Sequence, residues 1–203
     1  MTKISYKLIL IVLLIITASL VLFYNDTTTT NIYLDGENAS SSSFAIPFIH
    51  DTGSMDVEIS EYCIKVMNDP NSNITTLKEG VEDICKSYGF NDITVNVDSS
   101  FGKNQIPVLF HVQGTSMLPT LQDGQTIILE KTKNISVGDI VVANDTNYGV
   151  IVKRVGDISG DQVYLQSDNK NVEIVEINGI VYEKKGLTTW TDLSNIYGVV
   201  KVY

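Results

Sequence analysis

The apolar positions of this chain fall into three regimes. Lys3 and Lys7 precede an apolar run from Leu8 to Tyr24 that only Thr17 and Ser19 interrupt. Its 17 residues sit at the short end of the roughly 17–25 that cross a bilayer as a helix. A polar, repetitive stretch follows, with Thr27 to Thr30 and Ser40 to Ser43. Its composition reads as a flexible stalk over 25–54. Two helical stripes come next. Val57, Ile59, Tyr62, Cys63, Val66 and Met67 form one, stopped by Asp69-Pro70. Leu77, Val81, Ile84, Cys85 and Tyr88 form the other, opened by a capping box from Thr76 to Glu79 and closed at Gly89. Together they predict a helical hairpin over 55–91.

From Asp92 the period changes to two. Candidate strands are 92–97, 107–113, 126–130, 139–143, 148–156, 162–167, 172–183 with a break at Asn178-Gly179, and 196–202. Turn residues separate them. Short strands at this spacing predict a mainly β, coiled and largely antiparallel domain over 92–203.

Charge and flanking residues then set the compartment. The net charge of −10 lacks the basic patch that phosphate binding requires, which argues against a nucleic-acid partner. The first basic residue after the apolar run is Lys65, whereas Asp26, Asp35 and Glu37 follow it closely. That asymmetry keeps the N-terminus cytoplasmic and puts the remainder outside. A cleaved leader would have a shorter apolar core and a small-x-small site, and Leu20-Val21-Leu22-Phe23-Tyr24 is a poor one. The expectation is therefore a single-pass anchor at 1–24 in the cell membrane, with an extracytoplasmic domain. Asn-x-Ser/Thr triplets at Asn25, Asn38, Asn73, Asn134 and Asn144 fit an exported surface. Cys63 and Cys85, both on apolar stripes, favour a disulfide across the hairpin, with two buried free thiols as the alternative.

The chemistry centres on Gly114-Thr115-Ser116-Met117-Leu118-Pro119. Ser116 sits where the chain leaves a strand, and Gly114 permits close approach by a substrate backbone. Met117 and Pro119 fix the turn, and the Ser116 N–H is free to face a developing oxyanion. A serine hydroxyl needs a base. Strand alternation puts Lys153 on one face with Ile151 and Val155, and Arg154 on the other. An apolar setting disfavours the ammonium and lowers the lysine pKa toward the range of a general base. His111 is the competing base, five residues ahead of Ser116 but without a supporting motif, and His50 ends the stalk. No cluster has metal-ligand spacing, so neither a metal nor another cofactor is expected.

These segments resemble the serine–lysine peptidase clan that joins signal peptidase I to self-cleaving phage and SOS repressors. Gly114 to Leu121 resembles its nucleophile box, and Lys153-Arg154-Val155 its lysine box. Val137 to Val142 resembles its Gly-Asp strand opening, and Leu165 to Asn169 its Asp-Asn box. The resemblance makes Ser116 and Lys153 the catalytic pair, with Asp139, Asp168 and Asn169 as supporting residues. It implies a signal-peptidase-like β domain that cleaves signal peptides from exported preproteins. The partners of such an enzyme are preprotein signal peptides, the lipid bilayer and the secretion machinery.

The match has departures. Ser167 stands where signal peptidases have glycine, and Lys170 and Glu173 replace an arginine and a serine. The short Ser116-to-Lys153 spacing and Ile196 to Val200 are closer to the repressor group. A self-cleaving switch is therefore one alternative, although the chain has neither an Ala-Gly nor a Cys-Gly dipeptide. A non-catalytic surface domain is the other.

Overall fold

The computed structural model describes residues 6–22, 26–46, 52–177, 180–184 and 186–202. Helix α1 (Tyr6–Leu22) is 17 residues long, about 26 Å at 1.5 Å per residue. Ile9, Leu10, Ile11, Val12, Leu13, Leu14 and Ile15 are all exposed along it. Among the described residues no helix is long and apolar enough to cross a membrane. The anchor expected at 1–24 extends past both described ends of α1.

The segment read as a stalk is a β-hairpin instead. Strand β1 (Thr27–Leu34) pairs antiparallel with β2 (Ala39–Ile46). The tract is ordered because its hydroxyls find partners. Thr28 and Thr30 are buried with Ile32 and Leu34. Thr28 donates to Phe44 O at 3.3 Å, and the Thr30 and Ser43 hydroxyls meet at 2.9 Å. At the tip, the Asp35 carboxylate accepts from the Glu37 and Asn38 N–H groups, and Gly36 has φ +107°. A positive φ of this kind favours glycine.

Helices α2 (Thr52–Asn68) and α3 (Ile74–Ser87) follow, as the two stripes predict. Met55 rather than Val57 begins the buried face of α2, and Val57 is 61% exposed. The cap of α3 is Asn73, whose side chain accepts from Thr75 N and Thr76 N, so the expected Thr76–Glu79 box is not the start. Strand β3 (Asp92–Ser99), assigned from its pattern to the large β domain, lies parallel to β1 and completes a three-stranded sheet, β2-β1-β3. On α2, Asp56 accepts from Ser41 Oγ, Ser43 Oγ and Ser43 N, locking the helix to β2. Cys63 and Cys85 are both buried and free, not bonded to each other. Burial pushes the Cys63 thiol up to about 12, and also raises Cys85, whose sulfur lies 3.7 Å from Thr30 Oγ1.

The remainder forms the larger sheet. Its strands are β4 (Pro107–His111), β5 (Thr126–Glu130), β6 (Ile140–Asp145), β7 (Gly149–Ser159) and β8 (Gln162–Gln166). After the separate hairpin β9 (Glu173–Ile177) and β10 (Ile180–Lys184) come β11 (Thr188–Asp192) and β12 (Ile196–Val202). The spatial order is β11-β8-β7-β6-β12-β5-β4, antiparallel throughout. This agrees with the expected mainly β architecture. Strand β11 was not anticipated: Thr188-Thr189-Trp190-Thr191-Asp192 offers only Thr191 as a buried position. Register shifts on β7 between Val155 and Asp157 and on β12 let the sheet bend.

One continuous core joins the two sheets, from Ile32, Met55 and Leu77 to Val108, Ile127 and Leu129. Two polar contacts reinforce it. The Leu109 N–H donates to Gly36 O at 2.9 Å, so the hairpin tip rests on β4. The Lys131 ammonium donates to Val66 O at 2.7 Å, Ser72 Oγ at 2.6 Å, Met67 O and Asp69 O at the C-terminal end of α2. A cation there complements the helix dipole and its unpaired carbonyls. Lys131→Met is expected to cost about 2 kcal/mol, the scale of losing charged hydrogen bonds, read from the urea unfolding midpoint. A thiol reagent is expected to leave native protein unlabelled and to modify both cysteines in denaturant. Rapid native labelling would contradict the buried placement.

Candidate active site

Strand β4 delivers the chain to a tight turn. Val112 N donates to Gln125 O, and Val112 O accepts from Gly124 N, both at 2.9 Å. Gly114 then adopts φ +88°, and its N–H donates to Asp123 Oδ1 at 2.7 Å. This backbone geometry explains the glycine; a side chain there would meet open space. Leu118 N to Thr115 O and Leu121 N to Met117 O close the turn, with a cis Leu118–Pro119 bond inside it. Met117 and Leu121 are fully buried. They root the turn in the core while Ser116 stays half-buried at the surface. Among the described residues, nothing accepts a hydrogen bond from the Ser116 N–H.

Lys153 approaches from β7, where Val141 on β6 is its partner across the ladder. It is 4% exposed. Its Nζ lies 2.7 Å from Ser116 Oγ and 2.9 Å from Val152 O. Burial lowers its pKa, while the Asp168 carboxylate acts weakly in the opposite direction. A buried amine within hydrogen-bond reach of a serine hydroxyl can accept that hydroxyl's proton once it is itself neutral. Ser116 and Lys153 are 37 positions apart in sequence, and the fold brings them together.

The supporting residues separate into two kinds. Asp168 grips Arg154 through two bonds, Nε to Oδ1 at 2.7 Å and Nη2 to Oδ2 at 2.6 Å. It also accepts from Thr120 Oγ1 at 2.6 Å. Thr120 belongs to the Ser116 turn and Arg154 neighbours Lys153, so one carboxylate ties both halves of the site. Asn169 adds two bonds to the same turn, N to Ser116 O and Nδ2 to Thr115 O, both at 2.9 Å. Asp139 stays away from the pair. It accepts from Ser136 N at 2.8 Å, and its carbonyl takes the Val155 N–H.

Thr120 and Arg154 were not singled out from sequence as site residues. For Arg154, strand alternation said only that it points away from Lys153; its contact with Asp168 needs the fold. Ser167, the departure from glycine, is buried and donates to Leu187 O at 3.0 Å. Lys170 donates to Ser167 O at 2.8 Å. His111 is exposed, with Nδ1 3.1 Å from Thr126 Oγ1; the Ser116 hydroxyl meets Lys153 instead. His50 lies outside the described residues.

A cleft of about 390 Å³ opens over the pair, walled by Phe110 to Gln113 on one side and Val150 to Lys153 on the other. Following the antiparallel ladder from β4 through β5, β12 and β6 to β7, its two walls run in the same direction. Strand β8 pairs with β7 only from Arg154 onward, so among the described residues the Gly149–Lys153 part has β6 alone beside it. Two strand edges therefore face one gap. A larger hollow of about 750 Å³ beside the three-stranded sheet, lined by Asn31, Tyr33, Ser42 and Asn96, touches neither Ser116 nor Lys153.

Residues 78–186, more than half of the 203 in the chain, match the family model described as Peptidase S24-like. The chain belongs to the Peptidase S24-like family. The S24-like match starts within α3 and includes the Ser116 turn, the Lys153 strand and Asp168-Asn169. Over 99 residues the chain is 33% identical to a protein of Bacillus amyloliquefaciens named signal peptidase I. That alignment covers 45% of this chain and 51% of the relative. The S24-like chain thus spans about half the length of the curated relative it matches.

The Asp168 knot carries a pH signature. Arg154 holds the Asp168 carboxyl below the usual carboxylate range, helped by Thr120 and opposed by burial. Its stabilisation is complete above the unfolded value of about 3.9 and is lost as pH falls through the lowered folded value. Asp168→Asn is expected to lower the unfolding midpoint at neutral pH and to flatten its decline in acid. An acid decline as steep as that of the native chain would contradict the assignment.

Proposed function

We propose that this S24-like protein is a membrane-anchored serine endopeptidase in which Ser116 is the nucleophile and Lys153 the general base. The 2.7 Å contact between Ser116 Oγ and the buried Lys153 Nζ carries the reading. Neutral Lys153 takes the Ser116 proton as Oγ attacks the scissile carbonyl carbon. The carbonyl electrons move to oxygen, opposite the free Ser116 N–H, a donor type worth about 10²–10³ in rate. The Lys153 ammonium then returns the proton to the departing amine as the C–N bond breaks. Water, deprotonated by neutral Lys153, attacks the acyl carbon, and the Lys153 ammonium returns that proton to Ser116 Oγ as the ester C–O bond breaks.

The substrate in this reading is an extended segment of an exported preprotein, added as a strand between the two cleft walls. The apolar lining from Phe110, Ile127 and Val142 suits small uncharged side chains. Helix α1, apolar on every described face, would anchor the domain with its site outside the membrane. The relative named signal peptidase I favours signal peptides as the class cut.

Incubating detergent-solubilised protein with a preprotein tests the reading. Ser116→Ala and Lys153→Ala are each expected to lower cleavage by about 10³-fold or more. Cleavage by the native form is expected to rise with pH along a limb below the ordinary lysine value of about 10.4, because burial favours the neutral amine. Undiminished cleavage by Lys153→Ala would overturn the base assignment. A chain that nicks only itself would favour a self-cleaving switch.

A further inference from the structure

The edge of β4 that faces the cleft is closed at one end by the N-terminal hairpin. Strand β4 is terminal in its sheet, so among the described residues one side of its backbone has no strand beside it. Val112 turns its N–H and C=O inward, to Gln125 and Gly124, whereas Leu109 turns its N–H outward to Gly36. Strand alternation then places Pro107, Leu109, His111 and Gln113 on the outward edge. Pro107 has no N–H to offer, and that of Leu109 is already taken. Among the described residues, the backbone groups of His111 and Gln113 are unclaimed. A peptide pairing with this edge therefore finds two docking residues and then meets the hairpin tip. The edge from Phe110 to Gln113 spans about four peptide residues at about 3.3 Å each, and the turn to Ser116 adds about one more, room for about five.

We propose that the β1–β2 hairpin tip is a length gate for the cleft. It confines the paired part of a substrate to the five or so residues on that side of the scissile bond and turns the remainder off the sheet at Leu109. The ligand class is an unfolded polypeptide with free backbone amides at the positions facing His111 and Gln113. The gate rests on the peptidase reading above and adds where the substrate must leave the sheet. Gly36 matters to the tip through its backbone: at φ +107° a side chain is strained, although a Cβ there would meet Ile128 Cγ2 and Leu109 N only at ordinary contact distances of 3.5 and 3.6 Å.

The experiment uses the full-length protein in detergent and peptides in which one N-methyl amide is moved stepwise away from the scissile bond. In the native chain, kcat/KM is expected to fall about 10-fold, the upper range for a lost hydrogen bond, at alternate positions within the first five residues. Farther out it is expected to stay within about twofold of the unmethylated peptide, below the loss of one such bond. Gly36→Val, which cannot hold this backbone conformation, is expected to speed hydrogen exchange at the Leu109 amide and to extend the sensitive stretch outward. Leu109→Pro removes the N–H at an edge position that tolerates proline, and is expected to keep the native profile. Sensitivity that continues past the fifth residue in the native chain would overturn the gate. So would a profile shortened by Leu109→Pro, or an unchanged profile in a Gly36→Val chain whose Leu109 amide has been freed. A native chain that cuts none of the peptides would remove the peptidase reading, and the gate with it. Cleavage with the wrong positional pattern removes the gate alone.

Discussion

Lys153 is an amine kept dry beside an alcohol, and the arrangement works only if no anion satisfies the amine first. Its hydrogen-bond partners are neutral, the Ser116 hydroxyl and the Val152 carbonyl. The carboxylate that acts on it is Asp168, which would hold Lys153 protonated if its charge were free. Arg154 and Thr120 engage both Asp168 oxygens. The negative charge is thus absorbed by the residue next to Lys153 in sequence, on the opposite face of the same strand. Burial then remains the larger influence on Lys153, and it favours the neutral form.

The same knot fixes geometry. Ser116 lies on a turn that leaves an edge strand, the place in a sheet least constrained by neighbours. Asn169 holds that turn from below through the Thr115 and Ser116 carbonyls, Asp168 from the side through Thr120, and Met117 and Leu121 from the core. The N-terminal unit contributes to this rigidity. Its hairpin tip covers β4 at Leu109, and Lys131 at the end of β5 fastens the terminus of α2. The small α+β unit and the β domain share one core, so removing the former would expose the apolar side of β4 and β5.

The centre of the site was legible in sequence, and its surroundings less so, for physical reasons. A serine after a strand and a lysine at an apolar strand position are both unusual, and each is conspicuous where a pattern of period two surrounds it. The two helices were equally visible because α2 and α3 bury regular stripes. The hairpin of β1 and β2 was hidden because hydroxyl side chains supply its buried positions. Thr28 and Thr30 are interior residues only because Phe44 O and Ser43 Oγ receive them, and composition alone cannot reveal such partners. Strand β3 looks like its successors locally, and its place beside β1 is set by a parallel pairing 65 positions apart. The cysteines lay on the expected faces, yet facing one core does not bring two sulfurs into bonding geometry.

The account turns on the protonation of one side chain, which nuclear magnetic resonance can follow directly. Selective labelling of Lys153, assigned by comparison with Lys153→Met, would give its titration in the folded protein. The account predicts a midpoint below the ordinary lysine value of about 10.4, moving back toward that value when the folded structure is lost. A Lys153 that titrates at or above the ordinary value in the folded chain would contradict it.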